Sequence, residues 1–368
     1  MSVNIGIIGL AKSGKTTVFN ALTKGKVDTK SYTQEGVAPH IGIAKVPEPR
    51  LKILADILHP KRIVSAEATY TDIGASIKGL VKEKPISSQF LTQLSTVDAL
   101  INVARAFSDE SIPHIEGSID VDRDIATMNL ELAFSDLAII DRRLERIGVS
   151  LKGAKQPERQ SLLHEQDLLM KIKADLEKEV PIRELKLTED EARTIIHYQF
   201  LTAKPLLIVV NIGEDQLSEA AYLETDLNSR YSRPNCRIMT LCGKLEMELA
   251  QLDNSAAEEL RAEFGLKEPG LDRTIRLSYE LLGLISFFSI ASSEVKAWSI
   301  PNGTNAHTAA GKIHSDMERG FIRAEVISYD DLVKRGSLSE ARKKGLLRLE
   351  GKNYIVRDGD VITFLFNV

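Results

Sequence analysis

The sequence predicts an α/β fold in which a parallel sheet of βαβ units is interrupted by a helical hairpin and followed by a compact α+β module. Three observations predict it. The β-branched apolar run Val3 to Ile8 is followed by a glycine-bearing loop and a helical stretch, Thr16 to Thr23. Short apolar runs recur at Ala68 to Thr71, Ala99 to Val103 and Leu206 to Val210, separated by helical stretches, as a parallel sheet requires. From about Leu130 to Phe200 the apolar period changes to that of paired helices.

At about 150 residues per domain, the 368 residues suggest two or three domains. Hydrophobic residues at 43% and charged residues at 27%, with 23 Gly and 12 Pro, describe a chain with cores to bury, which excludes disordered, collagenous and low-complexity classes. Forty-eight Lys and Arg against 52 Asp and Glu leave a net charge of −4, so no global cationic field draws the protein onto nucleic acid. DNA is not an expected partner, and any polyanion contact must be local. Cys236 and Cys242 are too few for a disulfide framework. The start at Met1 lacks a signal-peptide pattern, and the longest apolar stretch, Leu281 to Ala291, is too short for a bilayer of roughly 30 Å. A cytoplasmic monomer with no membrane partner is expected.

The first loop, Gly9-Leu10-Ala11-Lys12-Ser13-Gly14-Lys15-Thr16, satisfies G-x-x-x-x-G-K-[ST] between a strand and a helix. Glycines let backbone N–H groups close around a polyphosphate, and the helix start adds partial positive charge. The residues expected at phosphates are Gly9, Ala11, Lys12, Ser13, Gly14, Lys15, Thr16 and Thr17. Lys15 would reach the β and γ phosphates and Thr16 would offer its hydroxyl to Mg²⁺. The plain alternative is a glycine turn with a surface lysine. Asp72 ends the strand after Tyr70 and Thr71, where P-loop enzymes place an acid near Mg²⁺; a cap at a strand end is the other reading.

The hairpin is legible in Leu137, Ile140, Leu144, Ile147 and Leu151, spaced 3, 4, 3 and 4 with charges such as Asp141, Arg142 and Glu145 between them. A turn at Lys152 to Arg159 follows, then Leu169, Ile172, Leu176 and Val180 before Pro181. This reads as an antiparallel coiled-coil insertion whose first arm reaches roughly 20 to 30 Å. Its tip carries Lys152, Lys155 and Arg159 against Glu158, a mild basic patch or simply a soluble turn.

Asn211, Ile212, Gly213 and Glu214 follow the strand Leu206 to Val210 directly. GTPases place Asn-Lys-x-Asp there, and the Asp accepts two hydrogen bonds from guanine. Here the acid is Glu214, and Ile212 replaces the lysine that would lie along the base, which shifts preference toward adenine. Asn211 as a turn cap is the alternative. Cys242, Gly243 and Lys244 follow Ile238 to Leu241 and form either a base-contacting loop or an ordinary strand-to-helix connection.

After Pro269 and Gly270 comes a helical apolar stretch, then strand-like runs at Val295 to Ile300, Ala324 to Ser328, Tyr354 to Val356 and Val361 to Phe366. Turns are signalled at Asn302-Gly303, Glu350-Gly351 and Asp358-Gly359. Arg342, Lys343, Lys344, Arg348 and Lys352 with Glu350 form a basic stretch that suits rRNA phosphates or a solvated face equally. The histidines, His307 and His314 among them, show no zinc-ligand spacing. Trp298 is expected to pack in a core.

With these motifs in hand, the sequence resembles the Obg-like ATPases of the YchF family. The likeness is carried by the P-loop, Asn211 to Glu214, the helical insertion, and the stretches Gly270 to Ile285, Glu294 to Trp298, Ala310 to Ser328 and Leu347 to Val368. The resemblance implies a G-domain at 1–132 and 201–279, a coiled-coil insertion at 133–200, and a TGS domain of β-grasp fold at 280–368. It also implies preference for ATP over GTP and association with ribosomes. Departures fall where the γ-phosphate is sensed. The family's D-I-A-G is Asp72-Ile73-Gly74-Ala75, and Gly36 stands near the family's metal-completing threonine, for which Thr29 or Thr33 are substitutes. Ser76 replaces the apolar residue that family members carry in place of a catalytic glutamine. Slow hydrolysis is therefore expected. The alternatives are a nucleotide-binding adaptor with little hydrolysis and a GTP-preferring GTPase.

Overall fold

The computed structural model describes residues 3–25, 39–73, 93–291 and 293–367. The described residues fall into two compact units, one holding Ile43–Ala68 and Asp272–Val368, the other Asn4–Gly42 and Thr69–Leu271. In chain order the strands are β1 (Val3–Ile8), β2 (His40–Lys45), β3 (Arg62–Val64), β4 (Glu67–Asp72), β5 (Ala99–Arg105), β6 (Leu206–Asn211) and β7 (Cys236–Leu241). The C-terminal strands are β8 (Leu284–Ala291), β9 (Glu294–Pro301), β10 (Phe321–Ser328), β11 (Arg348–Glu350) and β12 (Asp360–Phe366).

One sheet runs β2-β4-β1-β5-β6-β7, with β1, β5, β6 and β7 mutually parallel. β5 and β6 are buried along their whole length, which is why they read as unbroken apolar runs rather than alternating ones. The register sets Arg105 beside Asn211 and Asn211 beside Leu241, so the strands end along one edge and the loops that follow them gather there.

The helices that matter are α1 (Lys15–Thr23), α2 (Arg50–Leu58), α3 (Val121–Ser150), α4 (Glu158–Leu176), α5 (Gly243–Leu249) and α6 (Ala306–Ile313). α3 begins well before the expected seam. Asp120 caps it by accepting from the Arg123 N–H, with Asp122 and Asp124 favouring the positive end of the helix dipole. Its 30 residues reach about 45 Å, because the hairpin arm that faces α4 continues a helix that starts against the sheet. The extra turns are amphipathic toward the sheet: Ile125, Met128 and Leu132 join the sheet core, whereas Ala133, Ile140 and Ile147 pack with Leu168, Leu169, Ile172 and Leu176 of α4. α4 stops at Leu176, and Glu179 takes a left-handed φ of 63°, so Val180 lies outside the helix it was expected to extend.

A polar node ties the hairpin back to the sheet. The fully buried Asp136 carboxylate accepts from Leu201 N at 2.8 Å, Thr202 N at 2.8 Å and Thr202 Oγ1 at 2.7 Å. Arg183 donates its own N–H and Nη1 to Thr202 O. Burial pushes the Asp136 carboxyl up to about 6, against the pull of those hydrogen bonds.

The other unit carries the sheet β11-β10-β12-β8-β9-β3. β8 and β9 form an antiparallel hairpin and β12 lies parallel to β8, with Val361 opposite Phe288. Ala306, Ala309 and Ala310 of α6 pack against Phe287, Ile300, Val326 and Phe364. Two expectations need correction. Residues 62–64, assigned from sequence to the N-terminal division, form β3 and pair with Glu294 to Lys296 of β9. Tyr354 to Val356 is not a ladder strand. Ile355 makes a single bridge to Asn305, because turns on both sides leave too short a run, and the Tyr354 hydroxyl is spent on Asp360 Oδ2 at 2.7 Å. Trp298 packs against this core as expected, partly buried, with its Nε1–H donating to Ser289 Oγ at 2.9 Å and the Lys296 ammonium 3.7 Å from its ring.

Candidate functional site

The loop between β1 and α1 is shaped by backbone conformations that glycine accepts. Gly14 has φ of 91°, and a Cβ there would sit 2.1 Å from Asn211 Nδ2; one on Gly9 would sit 2.4 Å from Val103 O. Lys12 also takes a left-handed φ of 63°. Ser13 O accepts from Asn211 Nδ2 at 3.0 Å, while the Ser13 hydroxyl, 2% exposed, has no hydrogen-bond partner among the described residues. Lys15 curls back into the loop and donates to Gly9 O at 2.9 Å and Leu10 O at 2.8 Å. Burial lowers its ammonium from 10.5 to about 8, with Asp72 opposing the shift. A buried ammonium, an unsatisfied hydroxyl and a concave glycine backbone at a helix start form a cradle for a multiply charged anion.

At the mouth of this cradle Thr16 Oγ1 donates to Asp72 Oδ2 at 2.8 Å, joining the first turn of α1 to the end of β4. Both are hard oxygen donors on rigid elements, and Mg²⁺ is held by such oxygens together with phosphate and water. Ala11 and Thr17 flank this arrangement in the loop and in α1.

On the far side, Asn211 is a clip. Besides its bond to Ser13 O, its Oδ1 accepts from Gly243 N at 3.0 Å, so one amide joins the loop after β1 to the first turn of α5. Ile212 is buried and its N–H donates to Leu241 O. The buried Cys242 precedes α5, and burial pushes its thiol up. Glu214 opens a short 3₁₀ turn, and its Oε1 lies 3.1 Å from Lys244 Nζ, which raises the Lys244 ammonium. The structure thus brings Gly9 to Thr17 and Asp72 together at one end, and Asn211, Ile212, Glu214, Cys242, Gly243 and Lys244 at the other.

Phe107 belongs to this constellation and is missed by the sequence reading. Its N–H and that of Ala106 donate to Asn211 O at 3.0 and 2.8 Å, and its ring edge lies 3.7 Å from where a Gly14 Cβ would stand. Arg105 holds it, with the guanidinium 4.3 Å from the ring centroid and Nε donating to Phe107 O. The available signal was an aromatic residue two positions beyond the end of a buried strand. Gly36, Thr29, Thr33, Gly74, Ala75 and Ser76 lie outside the described residues.

Among the described residues, no group of three or more His, Cys, Asp and Glu is placed to hold a metal, and no helix is long and apolar enough to cross a membrane. The C-terminal basic stretch is partly spent on internal pairs: Arg342 with Glu325, Lys343 with Glu340 and Arg348 with Glu350.

Comparison with known proteins agrees on one neighbourhood. Residues 4–140 match the family described as 50S ribosome-binding GTPase, and residues 284–367 match the YchF-GTPase_C family, described as a protein of unknown function. The chain is 39% identical over 370 residues to the "Ribosome-binding ATPase YchF" of Bacillus subtilis strain 168, and 37% identical over 368 residues to that of Escherichia coli O157:H7, covering 100% of each. Among solved structures, the Schizosaccharomyces pombe YchF GTPase superposes with a TM-score of 0.83 at 29% identity, over 99% of this chain and 98% of that one.

Proposed function

Since this chain belongs to the YchF family of P-loop nucleoside triphosphate hydrolases, we propose that it is a ribosome-associated switch that binds ATP in preference to GTP and hydrolyses it slowly. The observation that supports this reading is the loop itself, where the buried Lys15 ammonium, the Ser13 hydroxyl without a partner among the described residues and the left-handed Gly14 lie together at the start of α1. Gly9, Ala11, Lys12, Ser13, Gly14, Lys15, Thr16 and Thr17 are assigned to the phosphates. Asn211, Ile212, Glu214, Cys242, Gly243 and Lys244, with Phe107, are assigned to the base. Thr16 and Asp72 are the residues that would hold Mg²⁺, whose chemistry when bound is to neutralise charge on the β and γ oxygens. This chain's own part is to position: the Asn211 clip fixes the loop against α5, and Lys15 gives up its two carbonyl partners for phosphate oxygens.

We read the architecture as a G-domain at 1–132 and 201–279, a coiled-coil insertion at 133–200 and a TGS domain of β-grasp fold at 280–368, with β3 lent to the C-terminal sheet. The relatives' name supports ribosome contact; the basic hairpin tip and the residues around Arg342 supply local positive charge for rRNA phosphates. A monomer in the cytoplasm fits this reading. The experiment is calorimetric titration with ATP and GTP in the presence of Mg²⁺, followed by single-turnover phosphate release and ribosome co-sedimentation with ATP or ADP. Tighter ATP binding, slow release and nucleotide-dependent sedimentation are expected; binding of neither nucleotide refutes the assignment. Binding without phosphate release above background identifies an adaptor instead.

Lys15 makes the binding pH-dependent. Its folded value of about 8 lies below the ordinary 10.5, so between these limits the folded chain holds fewer protons than the unfolded one, and this group's contribution to stability rises with pH across that window. Nucleotide binding has the opposite sign, because phosphates need the ammonium. At pH 9 binding should take up roughly one proton and be about tenfold weaker than at pH 7. Titrations in buffers of different ionisation enthalpy measure both, and an affinity constant from pH 7 to 9 would contradict it.

A further inference from the structure

We propose that Lys244 is a specificity-determining residue of this site, holding Glu214 in an ion pair that withholds its carboxylate from guanine. The inference rests on the nucleotide reading above and adds to it the group that tunes base choice. Lys244 Nζ lies 3.1 Å from Glu214 Oε1. Both side chains have anchored roots. Lys244 follows Gly243, whose N–H is held by Asn211 Oδ1 at 3.0 Å, and Glu214 follows Gly213, whose N–H donates to Gln216 Oε1 at 2.8 Å. The pair therefore stands beside the same clip that positions the phosphate loop.

The chemistry turns on what each purine offers. Guanine presents two donors on one edge, N1–H and the 2-amino group, and a free carboxylate accepts both in charge-assisted bonds about twice as strong as neutral ones. A carboxylate already joined to an ammonium has one oxygen engaged and its negative potential compensated, so guanine gains less from it. Adenine has an acceptor at N1 and no 2-amino group, and loses little by the same pairing. The pair is solvent-exposed, with side-chain exposures of 70% for Lys244 and 38% for Glu214, so its leverage is modest. Lys244 also lies within electrostatic reach of Asp109 and Glu248. Removing it makes the rim more negative and weakens the binding of either triphosphate. The ratio of the two affinities, rather than either one alone, is therefore the readout.

The test is calorimetric titration of the full chain with the non-hydrolysable analogues AMP-PNP and GMP-PNP and Mg²⁺, for the unaltered protein, Lys244→Ala, Lys244→Arg and the double variant Glu214→Gln/Lys244→Ala beside Glu214→Gln. Lys244→Ala should shift the affinity ratio about two- to fivefold toward guanine. Lys244→Arg should keep the original ratio, and the shift should vanish when Glu214 is already glutamine. A ratio unchanged in Lys244→Ala, one shifted toward adenine, or a shift that persists without the Glu214 carboxylate overturns the proposal while leaving the nucleotide site intact. Failure of the unaltered protein to bind either analogue is a different result, which removes the nucleotide reading and this inference with it.

Discussion

Gly14→Ala is expected to abolish nucleotide binding, with ATP affinity falling at least ~100-fold, while the sheet stays folded. Gly14 has a φ of 91°, where an L side chain costs on the order of 1 kcal/mol before any contact is considered. The added Cβ would then stand 2.1 Å from Asn211 Nδ2, so the amide that bonds Ser13 O and Gly243 N must move. Loss of two buried hydrogen bonds at about 1 kcal/mol or more each, added to the strain, exceeds the 2.7 kcal/mol that corresponds to roughly 100-fold. Lys15→Ala is the companion, removing the charge but leaving the loop. Titration with ATP, together with thermal unfolding, distinguishes the two causes: binding should vanish in both, and the melting temperature should fall more in Gly14→Ala. Binding retained by Gly14→Ala within tenfold of the original would mean that the clip yields and the loop geometry is not what holds phosphate.

Asp136→Ala is expected to cost about 3 kcal/mol of stability. Three donors converge on this carboxylate from Leu201 and Thr202, and all three would be left buried without it. Truncation also empties space between the hairpin and the sheet. The folded carboxyl titrates near 6 against an ordinary 3.8 because burial opposes its charge. Between those values the folded state binds more protons than the unfolded one, so stability falls as pH rises from about 4 to 6 and is level above 7. Asp136→Asn should flatten that limb of the profile. Urea unfolding at several pH values is the measurement, and a profile in Asp136→Asn identical to that of the unaltered chain would refute the assignment.

Legibility of the site followed contiguity. Gly9 to Thr17 is one run of residues whose spacing carries its own geometry, and Asp72, Asn211 and Cys242 were legible as residues at the ends of apolar runs. The pairing between them was not, because Asn211 bonds a carbonyl 198 residues away and nothing in either stretch names the other. Phe107 is illegible for the same reason: its N–H is held by the distant Asn211 O, which no local pattern around Phe107 names. Tyr354 to Val356 misled because β-branched and aromatic composition measures fitness for a pleated surface, not the presence of a neighbouring strand.

The chain's own order of residues determined the local conformations: the glycine loop between strand and helix, the buried parallel strands, and the paired helices with their 3–4 spacing. These follow from steric limits and side-chain period, which act over a few residues. Tertiary structure alone decided that α3 serves two cores, that β3 joins the C-terminal sheet and that Lys244 faces Glu214. Such choices depend on which distant surfaces bury each other, and the hydrophobic effect that drives them is non-directional, so it favours burial without naming the partner.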